Sequence, residues 1–175
     1  MRYERKFAVT DLGAPEIDFV VRFNPALFTE SYPPRYVNNI YFDSVNFSGF
    51  RDAVEGVSER LKTRIRWYGP LLGQVQSPML ELKRKKVIMG DKLQFRMNAF
   101  NVDDGLCADT ARQLFDHAQL DAALKLEFRS VEATLLNRYC RKYYVSASGA
   151  CRVTIDSQLE FYGIRRLFNE FERPS

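Results

Sequence analysis

Histidine is almost missing from this chain: His117 is its single copy in 175 residues. Cysteine is scarce too, with only Cys107, Cys140 and Cys151. A zinc centre needs three or four N or S ligands at short spacings, and one histidine with no Cys-x-x-Cys pair excludes it. Cys140 and Cys151 flank the turn-like SASG at 146 to 149 and could face each other across a hairpin. The odd third cysteine argues instead for free thiols in a reducing compartment. No run approaches the roughly 18 apolar residues of a membrane span, and the opening MRYERKF lacks the apolar core of a signal peptide. A cytoplasmic location is expected. Repeats, linkers and low-complexity stretches are absent as well, which points to one domain over residues 1–175.

What is abundant is aromatic and β-branched. Aromatics make up 14% of the chain, mostly Phe and Tyr, within 46% apolar and 27% charged residues. That composition suits a folded sheet protein better than a helical bundle or a disordered segment. The net charge of +4 fits an anionic ligand but is too small to demand nucleic acid.

Periodicity predicts a short strand at Tyr3–Phe7, a helix from Ala14 with Pro15 in its first turn to about Arg22, and a break at Pro33–Pro34. A strand follows over 35–43, then a short helix within 46–56 ended by Gly56. Strands are expected at 59–68 and 79–87, with a tight connection at 89–91 leading into a strand from Lys92. One substantial helix is expected from Asp109 to about Ala123, capped by Asp109 or Thr110. A long strand over 130–145 turns at Gly149 into 151–156, and LEFYG forms a last short strand. The coarse class is α+β: an antiparallel sheet or barrel with helical insertions.

Three of these strands share a habit. Glu4 and Lys6, then Lys62, Arg64 and Arg66, then Glu81, Lys83 and Lys85 recur at a period of two, so each set lies on one face. The opposite faces carry Leu61, Ile65 and Trp67, and Leu80 and Leu82. Same-face neighbours on a strand stand about 6.7 Å apart, where two like charges repel by roughly 0.6 kcal/mol in water and about 2.5 kcal/mol at an effective dielectric of 20. Facing bulk solvent, that costs little. Facing an enclosed space, several such pairs would consume much of a net stability of about 5–15 kcal/mol unless a polyanion resides there. A phosphate chain suits such a lining, because arginine forks bind two oxygens and lysine supplies a mobile point charge.

RYERKF, VNNIYFD, SERLKTRIRWYG, LELKRKK and NRYCRKYYVSASGACRVTID occur in this order. Together they resemble the VTC domain, the polyphosphate polymerase branch of the triphosphate tunnel metalloenzymes, in its bacterial stand-alone form. The resemblance implies an antiparallel barrel, a tunnel lined by Arg, Lys and Glu, that binds triphosphate and a divalent metal, Mn²⁺ or Mg²⁺. It implies phosphate-binding roles for Lys6, Arg64, Arg66, Lys83, Arg141 and Arg152, with Lys92 as a further candidate. Lys6, Arg64, Arg66 and Lys83 would act in catalysis. Glu4 and Glu81 become acidic tunnel positions, metal-binding or ion-paired to the cations. Family members continue with a strand carrying Glu-x-Lys and a closing helix, whereas this chain ends at Phe171-Glu-Arg-Pro-Ser, so an incomplete tunnel is expected. Its open edge strands would invite a homodimer.

The activity implied is phosphoryl transfer from a nucleoside triphosphate to a polyphosphate chain. A triphosphatase acting on tripolyphosphate or nucleoside triphosphate, and a polyphosphate-binding module without turnover, are the alternatives. Nucleic acid ranks low because the cations alternate with aliphatic residues and not with exposed aromatics. Elsewhere the reading is plainer: His117 as a surface or packing residue of a mixed helix, Trp67, Phe42 and Phe50 in the core, Asp103–Asp104 as loop or helix-cap acids, and Asp156 in a turn, with a tunnel-facing position as its alternative.

Overall fold

A computed structural model describes the chain except for residues 1–2, 59, 86–89, 104–105 and 166–175. Two units emerge, Met1–Arg35 with Cys140–Ser157 and Tyr36–Tyr139 with Gln158–Ser175. The elements in chain order are α1 (Ala14–Arg22), β1 (Thr29–Ser44), α2 (Ser48–Val54), β2 (Arg60–Tyr68), β3 (Gly73–Val75), β4 (Met79–Lys85), β5 (Gly90–Arg96), β6 (Phe100–Val102), α3 (Ala108–Gln113), α4 (Ala122–Phe128), β7 (Val131–Val145) and β8 (Arg152–Gly163). The main sheet has the order β5-β4-β2-β1-β7-β8, and β3 pairs with β6 in a separate ribbon. The architecture is α+β with a mostly antiparallel sheet that is not closed among the described residues, consistent with a tunnel-like fold.

The second unit holds the apolar core. Register sets it: Ile40 lies opposite Ile65 and Phe42 opposite Thr63, while Ile65 and Thr63 in turn face Leu80 and Leu82. Directly opposed residues point to the same side of an antiparallel pair. One face of β1, β2 and β4 therefore buries Ile40, Phe42, Ile65, Trp67, Leu80 and Leu82 together. Val75, Phe100 and Val102 of the small ribbon join the same cluster, as do Leu114, Phe115 and Phe128. Phe115 stacks on Phe128 with ring centres 4.4 Å apart and touches Phe42 at 4.6 Å. Each such ring, fully buried, contributes about 2–3 kcal/mol.

Several boundaries differ from expectation. Tyr3–Phe7 forms no strand and is exposed throughout; it pairs with no other segment among the described residues. Pro33–Pro34 does not break β1, because proline's fixed φ fits an extended chain. The expected long helix after 108 is three pieces: α3, a 3₁₀ turn at Leu114–His117, and α4. The interruption has a cause, since Ala118 is extended to bridge Met97 and the His117 carbonyl accepts the Asn98 amide. A fresh cap then restarts the helix, with the Asp121 carboxylate accepting the Leu124 amide at 2.8 Å. Cys107, not Asp109 or Thr110, is the N-cap of α3, although the Thr110 hydroxyl does accept its amide. LEFYG is the continuation of β8 and not a separate strand. Gly56, at φ 74, closes α2 as expected. Of the expected connection at 89–91, Gly90 and Asp91 already belong to β5, while Met89, the end of the expected strand 79–87, Asp104 and the segment from 166 onward lie outside the described residues.

In the first unit, α1 starts without a side-chain N-cap: Gly13 donates its amide to Glu16. Asp18 accepts from Arg22, from Lys142 and from the buried Tyr144 hydroxyl, tying α1 to the end of β7. Arg22 also meets Glu30 at 2.7 Å. Gly149, at φ 70, turns the chain between β7 and β8. All three cysteines are free thiols.

Candidate functional site

The face of β1, β2, β4 and β5 opposite the core is cationic. Its register brings Tyr41, Arg64, Glu81 and Gln94 into one row across four strands. Asn39, Arg66, Met79 and Arg96 form the next, and Lys62, Lys83 and Lys92 a third. Six cations thus share one face with a single carboxylate in these rows. Directly opposed lysines destabilise a sheet unless an anion lies between them.

Glu81 is the hub. Its side chain is only 5% exposed, and both oxygens are engaged. Arg64 donates from Nε and Nη2 to Oε2 at 2.8 and 2.6 Å, and Arg66 Nη1 lies 3.7 Å from the same oxygen. Gln94 donates to Oε1 at 2.7 Å and Lys92 Nζ stands 3.1 Å from it. Burial alone would push this carboxyl up, but the charges of Arg64 and Arg66, with hydrogen bonds from Arg64 and Lys92, outweigh that and hold it down at about 2. For Arg64, burial works against the charged form, and Tyr41 and Glu81 more than reverse it, so its affinity for its proton is raised.

The arginines are fixed from below as well. Arg66 Nε donates to the Asn39 side-chain oxygen at 3.0 Å, and Asn39 donates onward to Asn137 at 2.9 Å. Both asparagines are buried. Arg64 reaches the Tyr41 hydroxyl at 3.3 Å. The result is a pair of guanidinium groups, 26% and 13% exposed, held in place with part of each open to a ligand. Lys83 is exposed and makes no ion pair among the described residues, so its charge is available.

The remaining candidates lie in the first unit. Glu4 and Lys6 face each other at 3.8 Å on the exposed N-terminal segment. Arg141 grips Asp156 with two hydrogen bonds of 2.5 and 2.6 Å, so Asp156 is a strand residue and ion-pair partner, not a turn residue. Arg152 is exposed at the start of β8.

The VTC domain family matches residues 1–173 of the sequence. The chain belongs to the VTC domain family. That family is the polyphosphate polymerase, tunnel-fold one, which ties this VTC domain to polyphosphate-related chemistry. No curated protein matches the chain. Among the described residues, no helix is long and apolar enough to cross a membrane.

Sequence reasoning brought Arg64, Arg66, Glu81, Lys83 and Lys92 to one site in this VTC domain, and the register does so too. It passed over Asn39, Asn137, Tyr41, Gln94 and Arg96. The one available signal was Asn38-Asn39 inside an aromatic, β-branched strand, where asparagine is disfavoured. Phe50 belongs to no core; it is 64% exposed on α2, whose short turn places it on the outer side.

The resemblance implies a divalent metal, and the donor set decides how far the residues fit one. Among the described residues no three His, Cys, Asp or Glu side chains come together. Glu81, the buried carboxylate, has its oxygens filled by cationic and amide donors. This arrangement fits ion pairing and does not fit a metal-ligating carboxylate.

Proposed function

We propose that this VTC domain transfers the terminal phosphoryl group of a nucleoside triphosphate to a polyphosphate chain. The observation that carries the reading is the cationic face itself, where Arg64, Arg66 and Lys92 close on a buried carboxylate and Lys83 shares their face. An oligophosphate has the valence and the spacing of oxygens to meet such a face, and a singly charged anion does not. Arg64 and Arg66 bind non-bridging oxygens of neighbouring phosphates with their forks. Lys83, and Lys92 once released from Glu81, follow the charge as it moves. A terminal oxygen of the acceptor chain attacks the γ-phosphorus, the bond from that phosphorus to the β–γ bridging oxygen breaks, and nucleoside diphosphate leaves with the electron pair. Little covalent chemistry is needed from the protein in such a transfer, which depends on alignment and charge stabilisation. Lys6, Arg141 and Arg152 remain phosphate ligands by family resemblance.

Incubating the protein with ATP, Mn²⁺ and a short polyphosphate primer, then resolving products on a gel, tests the reading. Long polymers support it. Free phosphate alone replaces it with a triphosphatase, where water is the acceptor, and tight tripolyphosphate binding with no product leaves a binding module.

A further inference from the structure

A chamber of about 850 Å³ lies in the same unit as Arg64 and Arg66 and reaches them through Tyr41. Tyr41 belongs to both places: it lines the chamber and its hydroxyl accepts from Arg64. Asn137, which holds Asn39 under Arg66, lines it too, as does Lys62. Phe47 and Phe50, 51% and 64% exposed, line it as well.

Two large rings stand more than half in water, yet the loop that carries them is held firmly. The Asp43 carboxylate accepts the amides of Ser44, Gly49 and Phe50 at 2.7, 2.9 and 2.8 Å. The Ser44 hydroxyl accepts the Ser48 amide at 2.9 Å. Phe47 sits in the left-handed region at φ 55, where a bulky side chain is strained. A Cβ on Gly49 would lie 3.0 Å from the Asp43 carboxylate, so the close wrap also needs glycine there. Backbone strain spent on presenting exposed aromatic rings next to a charged cluster is a mark of a binding site.

We propose that this chamber receives the nucleoside of a nucleoside triphosphate whose phosphates lie on Arg64 and Arg66. The proposal rests on the phosphate reading above and adds to it the seat of the base and sugar. Phe47, Phe50 and Tyr41 supply ring faces for stacking, and the volume lies in the range of small-molecule sites. The lining combines the rings of Tyr41, Phe42, Phe47 and Phe50 with the cations Arg51 and Lys62, and Tyr41 leads on to Arg64, which suits a ligand with a flat heterocycle joined to a polyanion.

Two substitutions separate the ends of the ligand. Phe50→Ala removes a ring from the helix surface, and Phe47→Gly removes the other while suiting its backbone conformation. Titration of the purified protein with ATP and, separately, with inorganic tripolyphosphate reads each end. The expected result is ATP affinity weakened about 5- to 150-fold by loss of stacking, with tripolyphosphate affinity unchanged within twofold. Unaltered ATP affinity in both variants overturns the chamber and leaves the phosphate site standing. Parallel loss of both ligands also overturns it. An unmodified protein that fails to bind tripolyphosphate at all removes the phosphate reading and this proposal with it.

Discussion

Glu81→Gln is the substitution whose consequences the geometry fixes most tightly. It removes one negative charge from between Arg64, Arg66 and Lys92, which approach at 2.6, 3.7 and 3.1 Å, while preserving shape and the contact with Gln94. At an effective dielectric of 20, a charge pair about 4 Å apart is worth roughly 4 kcal/mol, a large part of which offsets desolvation. Acidity gives a second route. The carboxyl sits at about 2 against the usual 4.5, and at about 1.4 kcal/mol per decade the gap sets a ceiling near 3 kcal/mol, reduced by the solvent that reaches the open side. Both routes point to a loss of about 2–3 kcal/mol. In a domain of this size, that lowers Tm by roughly 4–12 °C. Because the folded-state value is depressed, the stability is fully present above about pH 4.5 and is lost as pH falls toward 2; the variant lacks this part of the pH dependence. Tripolyphosphate supplies the missing negative oxygens, so saturating ligand should raise the Tm of the variant by more than that of the parent. Thermal unfolding followed by circular dichroism, with and without tripolyphosphate and across pH 3–7, makes the measurement. Unchanged stability of the variant, or an equal ligand-induced rise in both proteins, would refute the view of Glu81 as an internal counter-ion.

Two further outcomes are expected. The charge-reversal pair Arg64→Glu with Arg66→Glu should abolish tripolyphosphate binding measured by calorimetry, and retained affinity would place the ligand elsewhere. Phe115→Ala should cost about 3–5 kcal/mol in urea unfolding, since it opens a gap between Phe42 and Phe128, and a loss below 1 kcal/mol would mean that the core closes around it.

The legible parts of the fold were those where a local rule coincides with the tertiary environment. In β2 the alternation of Leu61, Ile65 and Trp67 with Lys62, Arg64 and Arg66 is enough to separate the two faces, and the structure has the same division. The helix Ala14–Arg22, with proline in its first turn, is equally local. Where a distant partner decides, the sequence pattern was silent. The helix after Ala108 breaks because Ala118 is needed opposite Met97, twenty-one residues back along the chain. Asn39 matters because register places it across from Arg66, a fact that belongs to the pairing of two strands and not to either one. Phe50 reads as core by its aromatic character alone; the turn at Asp43 points it outward instead.

The two faces of β2 and β4 are written on one backbone. Deleting a single residue inside β2 would therefore be no local lesion: it would carry guanidinium groups in among Phe42 and Phe115 and turn Ile65 and Trp67 out to water. Evolution can lengthen or shorten the loops at the ends of these strands, but within them hydrophobic packing and anion preference cannot drift apart.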